Sequence, residues 1–433
     1  MPRLLGLAFG LAIIVGGTIG IGILRTPGLV AGALPSGAAV LGVWLVGGLY
    51  TLLGAICLTE LGTMIPEAGG YYVYARRAFG DAVGFAVGWT DWLTYGCVLA
   101  YVSIGMAEFT GTLVPWLAPH VTWLALAILA AFVLLQWAGL GISSRFQTWA
   151  TLLKTLAFVA LVVAAAIWRR APPAVTTAGA MTLAGSIAAL QAVVITFGGW
   201  QGALYFTEED TDPSRHLPRA MIGGVASVIV IYLLVNAALL AVLPIAALAG
   251  STLPAATAAE AIAGPAGARV ITIVSLLTLP PLLNSLMMIG TRILFALGRD
   301  GFFWSAAARV NDRGAIGNAT MMTTGAAALL ITTGTFMSLI AMTSCFLAVN
   351  YCICCAGLIR LRRTQPDAPR PFRAWGYPWS AWIVVCGAVV FLGGVVIGDP
   401  LTAVKALGCL AAGLLVGVAV ARRRIGRSRP EPS

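Results

Sequence analysis

The chain has 433 residues, of which 60% are hydrophobic and only 9% charged, a balance that excludes a soluble fold and requires many membrane-spanning helices. The net charge of +11 would point to nucleic acid in a soluble protein, but in so apolar a chain it reports topology, because basic residues gather in cytoplasmic loops. No nucleic-acid partner is expected.

About twelve apolar runs are long enough to span, near 4–30, 36–65, 82–111, 122–139, 147–168, 184–206, 219–243, 266–298, 317–335, 337–360, 378–397 and 400–421. Arginines cluster in alternate loops: Arg76 and Arg77; Arg145; Arg215 and Arg219; Arg299, Arg309 and Arg313; Arg360 to Arg373; and Arg422 to Arg429. The intervening loops hold Arg169, Arg170 and Arg269, with Arg169–Arg170 against the rule. An even number of spans with two basic ends puts both termini in the cytoplasm of a multi-pass protein of the cell (inner) membrane. All eight cysteines (57, 97, 345, 352, 354, 355, 386 and 409) fall in apolar runs and read as small packing residues. The two histidines, His120 and His216, are isolated, so neither a metal nor a cofactor is expected. The first run is too long for a cleavable leader, and Arg427–Ser433 reads as a disordered tail.

The first run contains Gly16–Gly22, Gly-Gly-Thr-Ile-Gly-Ile-Gly. Each Gly costs a helix about 1 kcal/mol relative to Ala, and a break in a bilayer survives only where protein or a wet cavity surrounds it. Such a break offers half-helix N–H groups to an anion and loose carbonyls to a cation, which suits a small zwitterion. Close helix packing through small residues is the competing explanation. Pro27 and Pro35 are expected to bracket a short outer turn. The second run ends over Glu60–Pro66, before the loop Glu67-Ala-Gly-Gly-Tyr-Tyr-Val-Tyr-Ala-Arg-Arg-Ala-Phe-Gly80. Glu60 reads either as one side of a salt bridge or as an interface carboxylate.

The third run carries Trp89, Asp91, Trp92 and, toward its outer end, Glu108. Charges inside a span are functional candidates by default, and Glu108 ranks above Asp91; an ordinary interfacial position is open for Glu108. The fifth run holds Lys154, one of only two lysines against twenty-four arginines. A buried lysine can lose its proton and an arginine effectively cannot, so Lys154 reads as an ion-coupling candidate. A snorkelling lysine nine residues past Arg145 is the alternative.

The sixth run is interrupted by Phe197-Gly-Gly-Trp-Gln-Gly202. Two Gly-interrupted segments in corresponding places point to a binding site between repeats. Phe197 and Trp200 read as aromatic walls of the site or as interhelical packing. Glu208, Glu209, Asp210 and Asp212 with Arg215 read as a gate or fold network. Residues 244–264 are expected to form an outer loop over the vestibule. Pro280-Pro281 should kink the eighth run, with Asn284 and Ser285 as cavity candidates, followed by Asn350 and Tyr351 in the tenth.

Taken together these motifs resemble the amino acid–polyamine–organocation transporter superfamily. The match rests on Ile-Gly-Ile-Gly-Ile in span one, Pro66-Glu-Ala-Gly-Gly-Tyr71, and Phe197-Gly-Gly-Trp200 with Glu208-Glu209, Pro213 and Leu217-Pro-Arg-Ala220. Arg292-Ile-Leu-Phe-Ala-Leu-Gly-Arg-Asp-Gly301 and Pro366-Asp-Ala-Pro-Arg-Pro-Phe-Arg373 with Gly376-Tyr-Pro378 extend it to span eleven. Ile21 departs from the family's usual Ser, which leaves the carboxylate contact to backbone N–H groups around Gly20 to Ile23.

The resemblance implies an all-α, leucine-transporter-type fold in one transport domain. Two inverted repeats would cover residues 4–168 and 184–360, with spans eleven and twelve at 378–421. It implies an amino acid transporter, not an enzyme. The substrate would contact Gly17, Thr18, Ile19, Gly20, Ile21, Gly22, Phe197, Gly198, Gly199 and Trp200. Its ammonium would meet carbonyls near Ile14–Gly17 and Thr196–Gly199. Similar members place a lysine at the position of Lys154, its amine beside the broken first span in place of a sodium ion. No carboxylate is legible as facing the side-chain pocket, so neutral L-amino acids are favoured; Glu108 keeps cationic amino acids and polyamines open. Coupling divides between proton symport and exchange. The loop 112–123 lacks the cysteine by which animal light chains join a heavy chain, so no obligatory heavy-chain partner is expected beyond substrate and lipid. A channel would need a continuous polar stripe, and an enzyme clustered His, Asp or Ser; neither is present.

Overall fold

The computed structural model describes residues 1–20, 22–167, 182–251, 253–312, 314–334 and 336–427. Ile21, Arg169, Arg170, Arg313 and residues 428–433, to which expectations were attached, lie outside them.

The first apolar run forms two helices, α1 (Leu7–Thr18) and α2 (Gly22–Ala33), bent by 48° relative to each other. α1 ends where Ile19 turns extended, its N–H still held by the Val15 carbonyl. Pro27 lies inside α2, so the turn to the next helix is confined to Leu34–Ser36 and is not bracketed by Pro27. Ser36 then caps α3 (Gly37–Met64) by accepting the Ala39 N–H at 3.2 Å.

Next come α4 (Tyr71–Phe79), α5 (Asp81–Leu113), α6 (Val121–Trp137), α7 (Leu140–Ile167) and α8 (Leu183–Thr196). After α8 the chain breaks at Phe197–Gly199 and continues as a 3-10 turn segment, Trp200–Phe206. α9 (Pro213–Val242) follows; residues 244–264 then form two short helices, α10 (Ile245–Ala249) and α11 (Pro254–Ala263), which pack on α2. α12 (Pro265–Arg299) runs through Pro280 and Pro281. The chain closes with α13 (Gly317–Thr333), α14 (Phe336–Thr364), α15 (Trp379–Gly398) and α16 (Pro400–Arg427).

Among the described residues ten helices are long and apolar enough to span, or eleven with the bent pair α1–α2 as one. The expected ninth span forms α13, whose 17 residues are short for a hydrocarbon core that takes about 20. Gly334, at φ 67°, stops it.

The broken first span occupies the middle of the bundle. α1 packs against α7, α9, α12 and the 3-10 segment. Gly10 and Gly224 admit Ala220 and Ile14 to closer than a methyl group would allow, the small-residue contact on which helices rely in lipid. At the end of the bundle bearing Glu208, buried charges tie the elements together. Arg292 of α12 grips Glu209 with Nε and Nη2 at 2.8 and 2.9 Å, and its guanidinium lies 4.3 Å from the Phe206 ring centre. Glu60, fully buried on α3, is bound by Arg362 of α14 (Nε 2.8 Å) and by the Ala374 N–H at 2.6 Å, and Arg370 forms a further ion pair at 3.2 Å.

Candidate functional site

The two interruptions meet. Gly199 has φ 113°, and a Cβ there would run into the Gly17 carbonyl; a Cβ on Gly17 would in turn lie 3.4 Å from the Gly199 carbonyl oxygen and 3.2 Å from Ser285 Oγ. Only glycine serves at Gly199, both for its left-handed backbone and for this close approach. Tyr232 of α9 locks the crossing from behind. Its hydroxyl lies 3.0 Å from the Thr18 carbonyl and 3.1 Å from the Thr196 carbonyl, so one side chain holds the last turn of α1 and the last turn of α8.

Beside the crossing lies a cavity of about 460 Å³. The backbone at both breaks lines it, through Gly17, Thr18, Gly20 and Gly22 on one side and Gly198 and Gly199 on the other. Thr26 and Thr196, hydrogen-bonded to each other at 2.7 Å, and Arg25 form part of the wall above α2's first turn. Thr18 Oγ1 is buried with no hydrogen-bond partner among the described residues. Half-helix ends facing a cavity of this size suit a small molecule with separated opposite charges.

Lys154 is fully buried, and its Nζ donates to the Gly16 carbonyl at 2.9 Å. The contact spans α7 to α1, one residue from the crossing. Two more α7 side chains reach the same helix: Thr151 Oγ1 and Gln147 Nε2 donate to the Ala12 carbonyl at 3.1 and 3.2 Å. A Cβ at Gly16 would collide with Gln147 Nε2 and Thr151 Oγ1, so that glycine is required by α7. Asn284 of α12 extends the network, donating to Gln147 Oε1 at 2.8 Å and accepting from Gln136 at 2.7 Å and Ser143 at 3.0 Å.

The other candidate residues separate into groups. Ile19 is wholly buried in the core and does not line the cavity. Phe197 packs on Tyr232 and Trp44, with ring centres 4.9 and 6.1 Å away, and Trp200 on Tyr351 at 5.6 Å. Both stand behind the glycines rather than on the cavity surface. Asn284 belongs to the α7 network, and Ser285 Oγ donates to the Leu282 carbonyl at 2.7 Å. Glu108 is exposed near the end of α5 and lies away from the cavity, whereas Asn350 lines it.

Against the expectation that Glu108 outranks Asp91 and that no carboxylate faces the cavity, Asp91 is 3% exposed and lines it. Tyr205 Oη donates to its Oδ2 at 2.7 Å. Gln201 connects this corner to the break: its Oε1 accepts the Gly199 N–H at 3.1 Å and its Nε2 donates to Tyr95 Oη at 3.3 Å. The intramembrane charge itself was the signal. Among the described residues no group of three or more His, Cys, Asp or Glu is arranged to hold a metal ion.

Residues 5–406 match a family described as amino acid permease. The chain is 29% identical over 388 residues to the "Large neutral amino acids transporter small subunit 2" of Oryctolagus cuniculus, covering 86% of this chain and 72% of the relative. It is 26% identical over 302 residues to the "Serine/threonine exchanger SteT" of Bacillus subtilis, covering 69% and 68%. To the "Asc-type amino acid transporter 1" of Mus musculus it is 29% identical over 401 residues, covering 86% and 73%. The first of these is named as a small subunit, which overturns the expectation that no heavy-chain partner is needed. The cysteine-free loop speaks only against a covalent link, and stable interfaces between chains form without one.

Proposed function

The chain belongs to the amino acid permease family and is a multi-pass amino acid transporter, and we propose that its substrate is a neutral L-amino acid held at the crossing of the two broken helices. The observation that carries this reading is the contact of Gly17 with Gly199 on the wall of the 460 Å³ cavity. The substrate carboxylate meets N–H groups at the start of α2, around Gly20 to Ile23, and its ammonium meets carbonyls near Ile14–Gly17 and Thr196–Gly199. The Gly16, Thr18 and Thr196 carbonyls already accept from Lys154 and Tyr232, so the ammonium shares them or turns to Gly17 and Gly198. The printed names of two relatives, one for large neutral amino acids and one for serine and threonine, support a neutral substrate.

Transport follows alternating access, with one inverted repeat (4–168, then 184–360) moving against the other around this site and residues 378–421 as an appended pair. Both termini face the cytoplasm across the cell membrane, and no covalent chemistry on the substrate is involved. Lys154 is the coupling residue. As a titrating group beside Gly16 it carries a proton with the substrate. Exchange is the second reading, favoured by the relative named as an exchanger, and in it Lys154 is a permanent tether between α7 and α1. Radiolabelled amino-acid uptake into proteoliposomes tests the proposal. Uptake of a neutral L-amino acid is expected, and failure to move any amino acid, with or without a proton gradient or internal substrate, would sink it.

A further inference from the structure

Three polar groups on the wall of the cavity are left unanswered by the described residues. Asp91 of α5 uses Oδ2 to accept from Tyr205, while its Oδ1 has no donor among the described residues. No lysine, arginine or histidine among them forms an ion pair with it. Tyr71 of α4 and Asn350 of α14 line the same cavity, each 1% exposed, and Tyr71 Oη and Asn350 Oδ1 have no hydrogen-bond partner among the described residues. The surroundings hold this wall rigid: the Tyr71 ring packs edge-on against Tyr205 and Tyr351 at 6.0 and 6.1 Å, and Tyr95 against Tyr205 at 5.7 Å.

Buried polar groups are normally satisfied, and an uncompensated carboxylate in a membrane interior is the most costly kind to leave alone. A zwitterionic main chain does not answer Asp91, because its two charges are taken up at the breaks. What remains for Asp91 is the end of the substrate side chain. The cavity wall offers three oxygen acceptors from three helices, and an ammonium carries three donors.

We propose that Asp91 is a specificity-determining residue that receives a hydrogen-bond donor, best a cationic one, at the end of the substrate's side chain, with Tyr71 and Asn350 completing the contact. The proposal rests on the reading that the breaks hold the substrate's main chain. It extends the substrate range from neutral amino acids to those with a long side chain ending in an amine. Gln201, bonded to both Gly199 and Tyr95, forms the polar wall along which such a side chain lies.

The test uses the full chain in proteoliposomes taking up radiolabelled leucine, with norleucine and lysine as competitors. Lysine is norleucine with a terminal ammonium, so their ratio isolates the side-chain end. In the wild type, lysine competes at least as well as norleucine. Asp91→Asn keeps an acceptor for Tyr205 and removes the charge; it is expected to weaken lysine relative to norleucine by tenfold to a hundredfold, as loss of a charged hydrogen bond implies. The lysine-to-norleucine ratio within each variant is the readout, and Asp91→Glu should recover part of the lysine preference. The proposal is overturned if wild type takes up leucine but lysine does not compete, or if Asp91→Asn weakens both competitors equally. No uptake of any amino acid by wild type would instead fail the reading of the breaks, and this proposal with it.

Discussion

The α-carbon of Gly199 faces the carbonyl of Gly17, and nothing larger than hydrogen fits between them. The site is therefore a contact between two helix breaks rather than two breaks lining a space separately. Gly199→Ala must relieve a collision with backbone and also strain a residue at φ 113°, which costs about 1–3 kcal/mol before any packing term. The expected outcome is a protein that still inserts, melts a few degrees lower in detergent, and takes up substrate at least tenfold more slowly. Uptake rate and melting midpoint measured on the same preparation check it.

Asn284 answers Gln147, Gln136 and Ser143 at once, deep in the bundle. Asn284→Ala leaves Gln147 Oε1 without its donor, at a cost of about 1–3 kcal/mol where no water replaces the bond, while Gln136 still donates to Ser143 at 3.0 Å. Asn284→Ala should lower the melting midpoint clearly and loosen the grip of Gln147 on α1. Asn284→Asp keeps the acceptor used by Gln136 and Ser143 but sets a fully buried carboxylate against the Gln147 carbonyl oxygen, so it should melt no higher than Asn284→Ala. A higher melting midpoint for Asn284→Asp would count against Asn284 as the donor to Gln147.

Arg292 and Glu209 form a buried, two-point ion pair with relative side-chain exposures of 4% and 0%. Removing one partner strands the other's charge, and Arg292→Met or Glu209→Gln should each destabilise by about 3–5 kcal/mol. Because the pair also bears its own desolvation cost, the double variant should be more stable than either single one. A double-mutant cycle in thermal unfolding reads this coupling directly.

Glu208 lies at the end of the bundle, outside the spans. Burial opposes its ionisation, but the Ala68 N–H at 2.9 Å and the Arg299 guanidinium at 2.8 Å outweigh that and hold its carboxyl below the usual glutamate range. A carboxyl lowered in the folded state stabilises the fold above its unfolded pKa, about 4.3, and that contribution is lost as pH falls through the lower folded value. Melting midpoints should therefore drop on the acid side in wild type and drop less steeply in Glu208→Gln. Parallel profiles would count against this role for Glu208.

Both breaks were legible from glycine runs inside apolar stretches, and Lys154 from the scarcity of lysine. Which face each helix turns inward was not. A spanning helix is apolar toward lipid and toward its neighbours alike, so periodicity does not mark the buried side. Hence nothing in the sequence marks Gln147 and Thr151 beside Lys154, Asn284 is a cavity candidate although it sits with them, and Asp91 ranks below Glu108. Depth along α5 separates the two acids: Glu108 lies at an exposed end and Asp91 among Tyr71, Tyr95 and Tyr205. For Phe197 and Trp200 the sequence leaves cavity wall and interhelical packing both open; in the structure they pack on Tyr232 and Tyr351 behind the glycines.

The most direct measurement is amino-acid uptake into proteoliposomes by wild type and Lys154→Ala, with and without an inward proton gradient and with and without preloaded amino acid. Lys154 is the only side chain among the described residues bonded to the Gly16 carbonyl, and a charged hydrogen bond of about 1.5–3 kcal/mol corresponds to a tenfold to hundredfold effect. The expected result is uptake by wild type and at least a tenfold loss in Lys154→Ala. Gradient-driven uptake into empty vesicles would mark proton coupling, and uptake only into preloaded vesicles would mark exchange. Wild-type rates in Lys154→Ala, or no amino-acid uptake under any of these conditions, would contradict the account.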